Sequence, residues 1–303
     1  GTTANVSLGT VTILASTTYN IKFYTKNPNG LADMLVSDDT LSLLNLSTGL
    51  VGNFTINSGQ LTGGTNFASF TDFATAVSTL GVCGNIDVDV VANSGPYNEQ
   101  FLLQNIVGTS ASSRITINGN NDTLSFVTSS NERRIVGLSN VSFITLKNLN
   151  IVSAGPTFGY GIQMDMGSHD ILIDSCNIDI SAVTSTSSVN SVGILSSGSL
   201  TSPATTGNNA SRITISNSRI NGGISEGMYY GIRFNGLSTT ISDTSIRIVN
   251  NEISNFYAYG IYLNHISNSL IEGNDIHRAD KQTVTTFYGI YTTGGSSADT
   301  ANA

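Results

Sequence analysis

Charge is scarce in this chain. Only 11% of its 303 residues are Asp, Glu, Lys or Arg, far below the usual quarter. Twelve are cations, no basic cluster exceeds the pair Arg133-Arg134, and the net charge is −8. Phosphate backbones are held by runs of cations, so nucleic acid is not an expected partner. No apolar run approaches the roughly 18 residues of a membrane helix, so this segment is not expected to insert into a bilayer. Two cysteines, Cys83 and Cys176, offer neither a CxxC pair nor metal spacing. They read as buried free thiols, with a disulfide left open if the protein is exported. No metal or cofactor is expected. An initiator Met and a signal peptide are also missing; the chain opens at GTTANVSLGT and reads as a mature fragment or the ordered part of something longer.

What is present points to strands. Hydrophobic residues still reach 39%, which argues against disorder. Ile, Val and Thr dominate, and Ala-Glu-Lys-Leu helical blocks are lacking. Residues 1–50 read as three strands, NVSLGTVTIL, TTYNIKFYTK and DTLSLLNL, the last two joined by a hairpin loop. Three strands cannot close a sandwich, so this part reads as a partial immunoglobulin-like β module. Asp33, Asp38 and Asp39 in its loop read as solvated rather than calcium-binding. Residues 51–66 are dense in Gly, Ser, Thr and Asn and read as a connector. Then comes one convincing helix: Phe70, Phe73, Ala74, Val77 and Leu80 form a single apolar stripe, with Ser69 and Asp72 resembling a capping box. A lone helix before a long run of strands suits a lid over an open β end.

Internal repetition governs the rest. FITLKNLNI, DILIDSCNI, RITISNSRI, SIRIVNNEI and SLIEGNDI share one pattern, aligned on their final Ile. Three positions earlier stand Asn148, Ser175, Asn217, Asn250 and Gly273, residue types that tolerate tight bends. Alternating apolar positions on either side make two short strands around a corner. A third strand starts at a recurring YGI or VGI, with glycines at Gly161, Gly193, Gly231, Gly260 and Gly289. Their unequal spacing suits a coil of strands whose loops vary at the corners.

These repeats resemble the right-handed parallel β-helix of the pectate-lyase-like superfamily. Residues 67–124, with the aromatic helix, GVCG, YNEQ and GTSAS, are similar to the opening of β-helix domains in large secreted proteins of Bacteroidota-type bacteria. The resemblance implies an all-β fold, a capped right-handed parallel β-helix over 67–303 truncated at its C-terminal end, and export through the type IX system. DTL at Asp39–Leu41 and Asp122–Leu124 resembles the O-glycosylation sequon of such bacteria, pointing at Thr40 and Thr123.

With Ile162, Ile194, Ile232, Ile261 and Ile290 inward, the alternate positions Gln163, Arg233, Tyr262 and Tyr291 point outward. So do Asp165, Asn235 and Asn264. Tyrosine faces, an arginine and amides in one strip can bind sugar, and a plain polar solvent face is the other reading. Lys147 and Asp174 fall in one outward column and read as a cross-rung ion pair. A hydrolase needs two carboxylates about 5–9.5 Å apart, and a lyase needs a base beside a cation. No acid column of that kind is legible. His265 and the cluster Asp275, His277, Arg278 and Asp280 are the best remaining acid-base residues, and solvated side chains are the favoured reading of them. The sequence therefore reads as an exported or cell-surface β-helix acting in adhesion or surface structure, with a glycan as partner. The alternatives are a polysaccharide lyase or hydrolase of the pectate-lyase-like class, and a passive stalk or secretion cargo.

Overall fold

The computed structural model describes residues 12, 18–24, 40–208, 210–224, 226–238, 243–281 and 286–294. Strands Thr18–Tyr24 and Thr40–Ser47 pair antiparallel as the hairpin expected there. Apart from Thr12, the first strand expected in that module lies outside the described residues, as do Asp33, Asp38 and Asp39.

From Leu50 onward the chain winds into a right-handed parallel β-helix with three faces. The first face stacks Phe101–Gln104, Arg134–Ser139, Gly159–Asp165, Ser191–Ser196, Tyr230–Asn235, Tyr259–Asn264 and Tyr288–Thr293. The second runs from Leu50–Ile56 and Val82–Val90 to Asp243–Val249 and Leu270–Glu272. The third runs from Tyr97–Asn98 to Asp275–His277. Each strand pairs with its counterpart one coil away, so the interior is a set of aligned columns. Ile144, Ile171, Ile213 and Ile246 make one, and Leu124, Ile151, Ile178, Ile220 and Ile253 another. All nine are essentially fully buried. Each such side chain contributes roughly 1.5–3 kcal/mol of transfer free energy.

The recurring bends are left-handed. Asn148, Ser175, Asn217, Asn250 and Gly273 have φ between 49° and 64°, and each turns the chain from the second face to the third. A second left-handed column, Phe143, Asp170, Arg212, Ser245 and Asn268, bulges the start of the second-face strands. It was not legible in the sequence, because bulky and charged residues are uncommon at positive φ.

The repeated glycine has a steric reason. A Cβ on Gly161, Gly193 or Gly231 would lie 2.4–2.5 Å from the methyl of Ile178, Ile220 or Ile253, and 2.5 Å from the carbonyl of the next glycine in the ladder. The third-face isoleucine fills the space that a side chain there would need.

The helix spans Phe70–Leu80 and buries Phe70, Phe73, Ala74 and Val77 of the expected stripe, with Leu80 partly buried and Ser69 accepting from the Asp72 amide. Glu99 takes the Phe70 and Thr71 amides at 3.1 and 2.9 Å, satisfying two donors that a helix start leaves open. Phe70 packs on Tyr97 and Phe101, closing the first coil as a lid. The segment 51–66 is more than a connector: Leu50–Ile56 adds in parallel to Val82–Val90 and lengthens the second face.

Cys83 corrects the expectation of two buried thiols. It is exposed on an outward strand position, Cys176 is buried, and neither is in a disulfide. Burial pushes the Cys176 thiol up to about 11. A maleimide or disulfide reagent should therefore label one thiol, Cys83, in the native protein and two after denaturation. Rapid labelling of both in the native state would contradict this packing.

Candidate functional site

The first face carries three outward columns. Arg134, Tyr160, Val192, Tyr230, Tyr259 and Tyr288 form one. Leu102, Gly137, Gln163, Leu195, Arg233, Tyr262 and Tyr291 form the next. In the last, Gln104, Ser139 and Asp165 align on the early coils, and Asn235, Asn264 and Thr293 on the late ones. Registers follow the alignment read from the sequence, but exposure does not.

Gln163, Asp165, Arg233 and Asn235 are 0%, 3%, 5% and 0% exposed, so four of the residues expected on an open strip are covered. Loops fold back over them. Gln163 Nε2 donates to the Ser199 carbonyl and Asn235 Nδ2 to the Ala204 carbonyl, both at 2.8 Å. These amides tether the 197–208 loop. Asn208 fastens its far end through Ser196 Oγ and the Gly167 amide. The loop after Ile178 is held likewise, with the Tyr160 hydroxyl and Arg133 both donating to the Val189 carbonyl. Burial pushes the Tyr160 phenol up to about 12.

Asp165 has partners that the alignment did not supply. Arg134 Nη1 lies 2.8 Å from its carboxylate, and Ser139 Oγ donates to it as well. The guanidinium lies across Gly137, where a Cβ would meet Arg134 Nε at 2.7 Å. Arg134 and Arg133 were visible in the sequence only as the densest cationic pair.

Tyr262, Asn264 and Tyr291 are half-buried and belong to an aromatic block on the late coils. Tyr230, Tyr259 and Tyr288 stack at 5.2 and 5.3 Å, and Tyr262 stacks on Tyr291 at 5.2 Å. The two stacks meet edge-to-face, Tyr259 against Tyr262 at 5.1 Å. Tyr229 packs on Tyr230, Tyr257 and Tyr259, widening the block. Arg233 sits between Tyr230 and Tyr262, 4.4 and 4.5 Å from their ring centres. Its Nε is buried without a hydrogen bond, and no carboxylate contacts the guanidinium among the described residues. Asn264 donates to Asn235 Oδ1 at 3.0 Å, an amide ladder running into the covered part.

The remaining sequence candidates stand apart from this face's centre. His265 occupies a left-handed corner with Nδ1 buried and unbonded. His277 pairs with exposed Asp275 at 3.1 Å. Arg278 donates to the Phe256 carbonyl and stacks on Phe287, and Asp280 accepts from Asn255. Lys147 and Asp174 are neighbours in register but make no direct ion pair. Burial pushes the Asp174 carboxyl up, but hydrogen bonds from Ser216, Asn217 and Ser175 outweigh it and hold the group below its usual range. Thr40 is exposed at a strand start. Thr123 is half-buried in the third-face ladder, beside an Asp122 whose carboxylate takes the Ser94 and Gly95 amides. Among the described residues no group of His, Cys, Asp and Glu is arranged to hold a metal ion.

No protein-family model matches the chain. No curated protein matches it either. Among solved structures it is similar to an alginate lyase from Paenibacillus sp. str. FPU-7, at 14% identity and TM-score 0.44, over 72% of this chain and 75% of that one. That neighbour is a lyase by name, and a likeness of this size speaks for no activity. The coiled architecture rests on the strand registers, which make the chain an all-β parallel β-helix.

Proposed function

We propose that this protein binds polysaccharide on the tyrosine block of its first face, as an exported or surface-displayed β-helix. The observation that supports the reading is the double stack of half-open tyrosines around Arg233. Sugar rings present C–H faces that pack on aromatics, and their hydroxyls accept from phenols. A buried guanidinium without a carboxylate favours ligands that bring one, so acidic sugar units are the preferred class. Burial pushes the Tyr230 phenol up to about 12 and raises Tyr259 too. A phenol that keeps its proton can donate a hydrogen bond to a sugar oxygen. Export by the type IX route, the partial immunoglobulin-like module and glycosylation at Thr40 and Thr123 belong to the same proposal.

The test is a titration of acidic and neutral oligosaccharides, with parallel detection of new reducing or unsaturated ends. Tyr262→Ala should lower affinity for the bound acidic ligand about tenfold, equal to about 1.4 kcal/mol. Arg233→Met should abolish the preference for acidic over neutral sugars. Binding that ignores both substitutions would sink the proposal. Product formation would move the protein to the lyase or hydrolase class.

A further inference from the structure

Three clefts open on the early coils of the first face, about 710, 460 and 160 Å³ in volume. Gln104 and Asn105 line both larger ones; Arg134 and Leu200 line the second and third. They therefore form one groove, between the exposed side of the helix and the 197–208 loop. It lies on the opposite side of that loop's tethers from the tyrosine block.

The charges in this wall are engaged. Arg134 and Asp165 neutralise each other at 2.8 Å, both nearly fully buried. Glu99 is held by two amides at the helix start. Arg133 lies 4.4 Å from the Phe158 ring centre and donates to a carbonyl. Only Glu132 stands free, on the exposed rim. Apart from Glu132, the unengaged groups of this wall are neutral. The Gln104 side chain makes no hydrogen bond among the described residues. Gln100 gives its amide N–H to the Arg134 carbonyl and keeps its oxygen. Asn105 accepts from Asn140 and keeps its own N–H groups. Leu102 and Leu200 add apolar surface, Leu200 being 47% exposed.

We infer that this groove is a second binding site, for an uncharged oligosaccharide. Planar amides exchange paired hydrogen bonds with vicinal hydroxyls, and leucines cover the C–H faces of the ring. An acidic ligand would meet the free Glu132 carboxylate, would find the Arg133 and Arg134 guanidiniums already engaged, and would lose hydration on entering. An extended peptide is disfavoured for another reason. The first-face strands beside the groove are already paired to both neighbours or capped by the helix, so no strand edge is open for backbone pairing. The inference stands independently of the tyrosine block.

The experiment is an NMR titration of the whole chain with neutral gluco-, manno- and xylo-hexaose and with oligogalacturonate as the acidic probe. Wild type, Gln104→Ala, Thr75→Trp and Tyr262→Ala are compared. At least one neutral hexasaccharide should shift the Gln104 and Asn105 side-chain amide signals, equally in wild type and in Tyr262→Ala. Gln104→Ala should weaken that binding about tenfold. Thr75→Trp, placed on the exposed helix surface to fill the groove without touching the core, should do the same. No neutral sugar shifting these signals at millimolar concentration overturns the inference. So does oligogalacturonate binding there more tightly than every neutral sugar. Loss of acidic binding in Tyr262→Ala with the groove signals unchanged bears on the tyrosine block alone.

Discussion

Gly193→Ala is expected to lower stability by about 2–3 kcal/mol, the upper range for overpacking a filled interior. The added methyl would lie 2.4 Å from Ile220 Cγ2 and 2.5 Å from the Gly231 carbonyl oxygen. A side-chain rotation could relieve the first contact, but the second is with backbone inside the sheet. The same substitution at Gly289 is the internal control. There the nearest contact is Ile276 Cγ2 at 3.9 Å, an ordinary separation. Gly289→Ala should stay within about 0.5 kcal/mol of wild type, although the same Gly-Ile step stands at the same register position. Denaturation midpoints for the two variants, with hydrogen exchange on the flanking coils, make the comparison. Equal costs at both positions would show that the ladder is set by backbone conformation and not by the opposing isoleucines.

The second large effect belongs to Arg134 and Asp165. Removing one member of a buried pair leaves an uncompensated charge, and the expected cost is about 3–5 kcal/mol for Arg134→Met or Asp165→Asn. The double variant Arg134→Met/Asp165→Leu should recover a large part of that loss, since two well-packed apolar side chains replace an ion pair at little cost. A double-mutant cycle reads the coupling directly. Single losses below about 1 kcal/mol would mean that water reaches the pair and that the floor of the groove is wet.

Much of the coil was legible in the sequence, and for identifiable reasons. The final isoleucines with their Asn, Ser or Gly bends fixed the corner between the second and third faces, because a left-handed residue and an inward residue recur at constant spacing. The YGI strands fixed the register of Gln163, Arg233, Tyr262 and Tyr291. Exposure was not legible. Outward from a strand is outward from the molecule only where nothing returns across it, and the 197–208 loop carries no charge and no periodic apolar pattern. Its path is written in a few side-chain to backbone bonds from Gln163 and Asn235, which leave no periodic trace. The partners of Asp165, Arg134 and Ser139, lie one coil back in a strand that lacks the YGI mark, so alignment on that mark does not reach them. Cys83 misled because residue type was weighed ahead of alternation, which puts Val82 in and Cys83 out.

The corners of this coil differ in freedom. From the third coil on, the turn between the second and third faces takes two residues, as at Asn148–Leu149, Ser175–Cys176, Asn217–Ser218 and Asn250–Asn251. The other two corners accept long excursions such as 180–190 and 197–210, and both of them border the first face. Variation is thereby channelled. A lineage of such proteins can lengthen, shorten or exchange the segments that frame one surface while the stacked isoleucines stay unaltered. Recognition can diversify on a chassis that does not have to be refolded each time, in the way that interchangeable loops on a rigid scaffold serve molecules selected for binding.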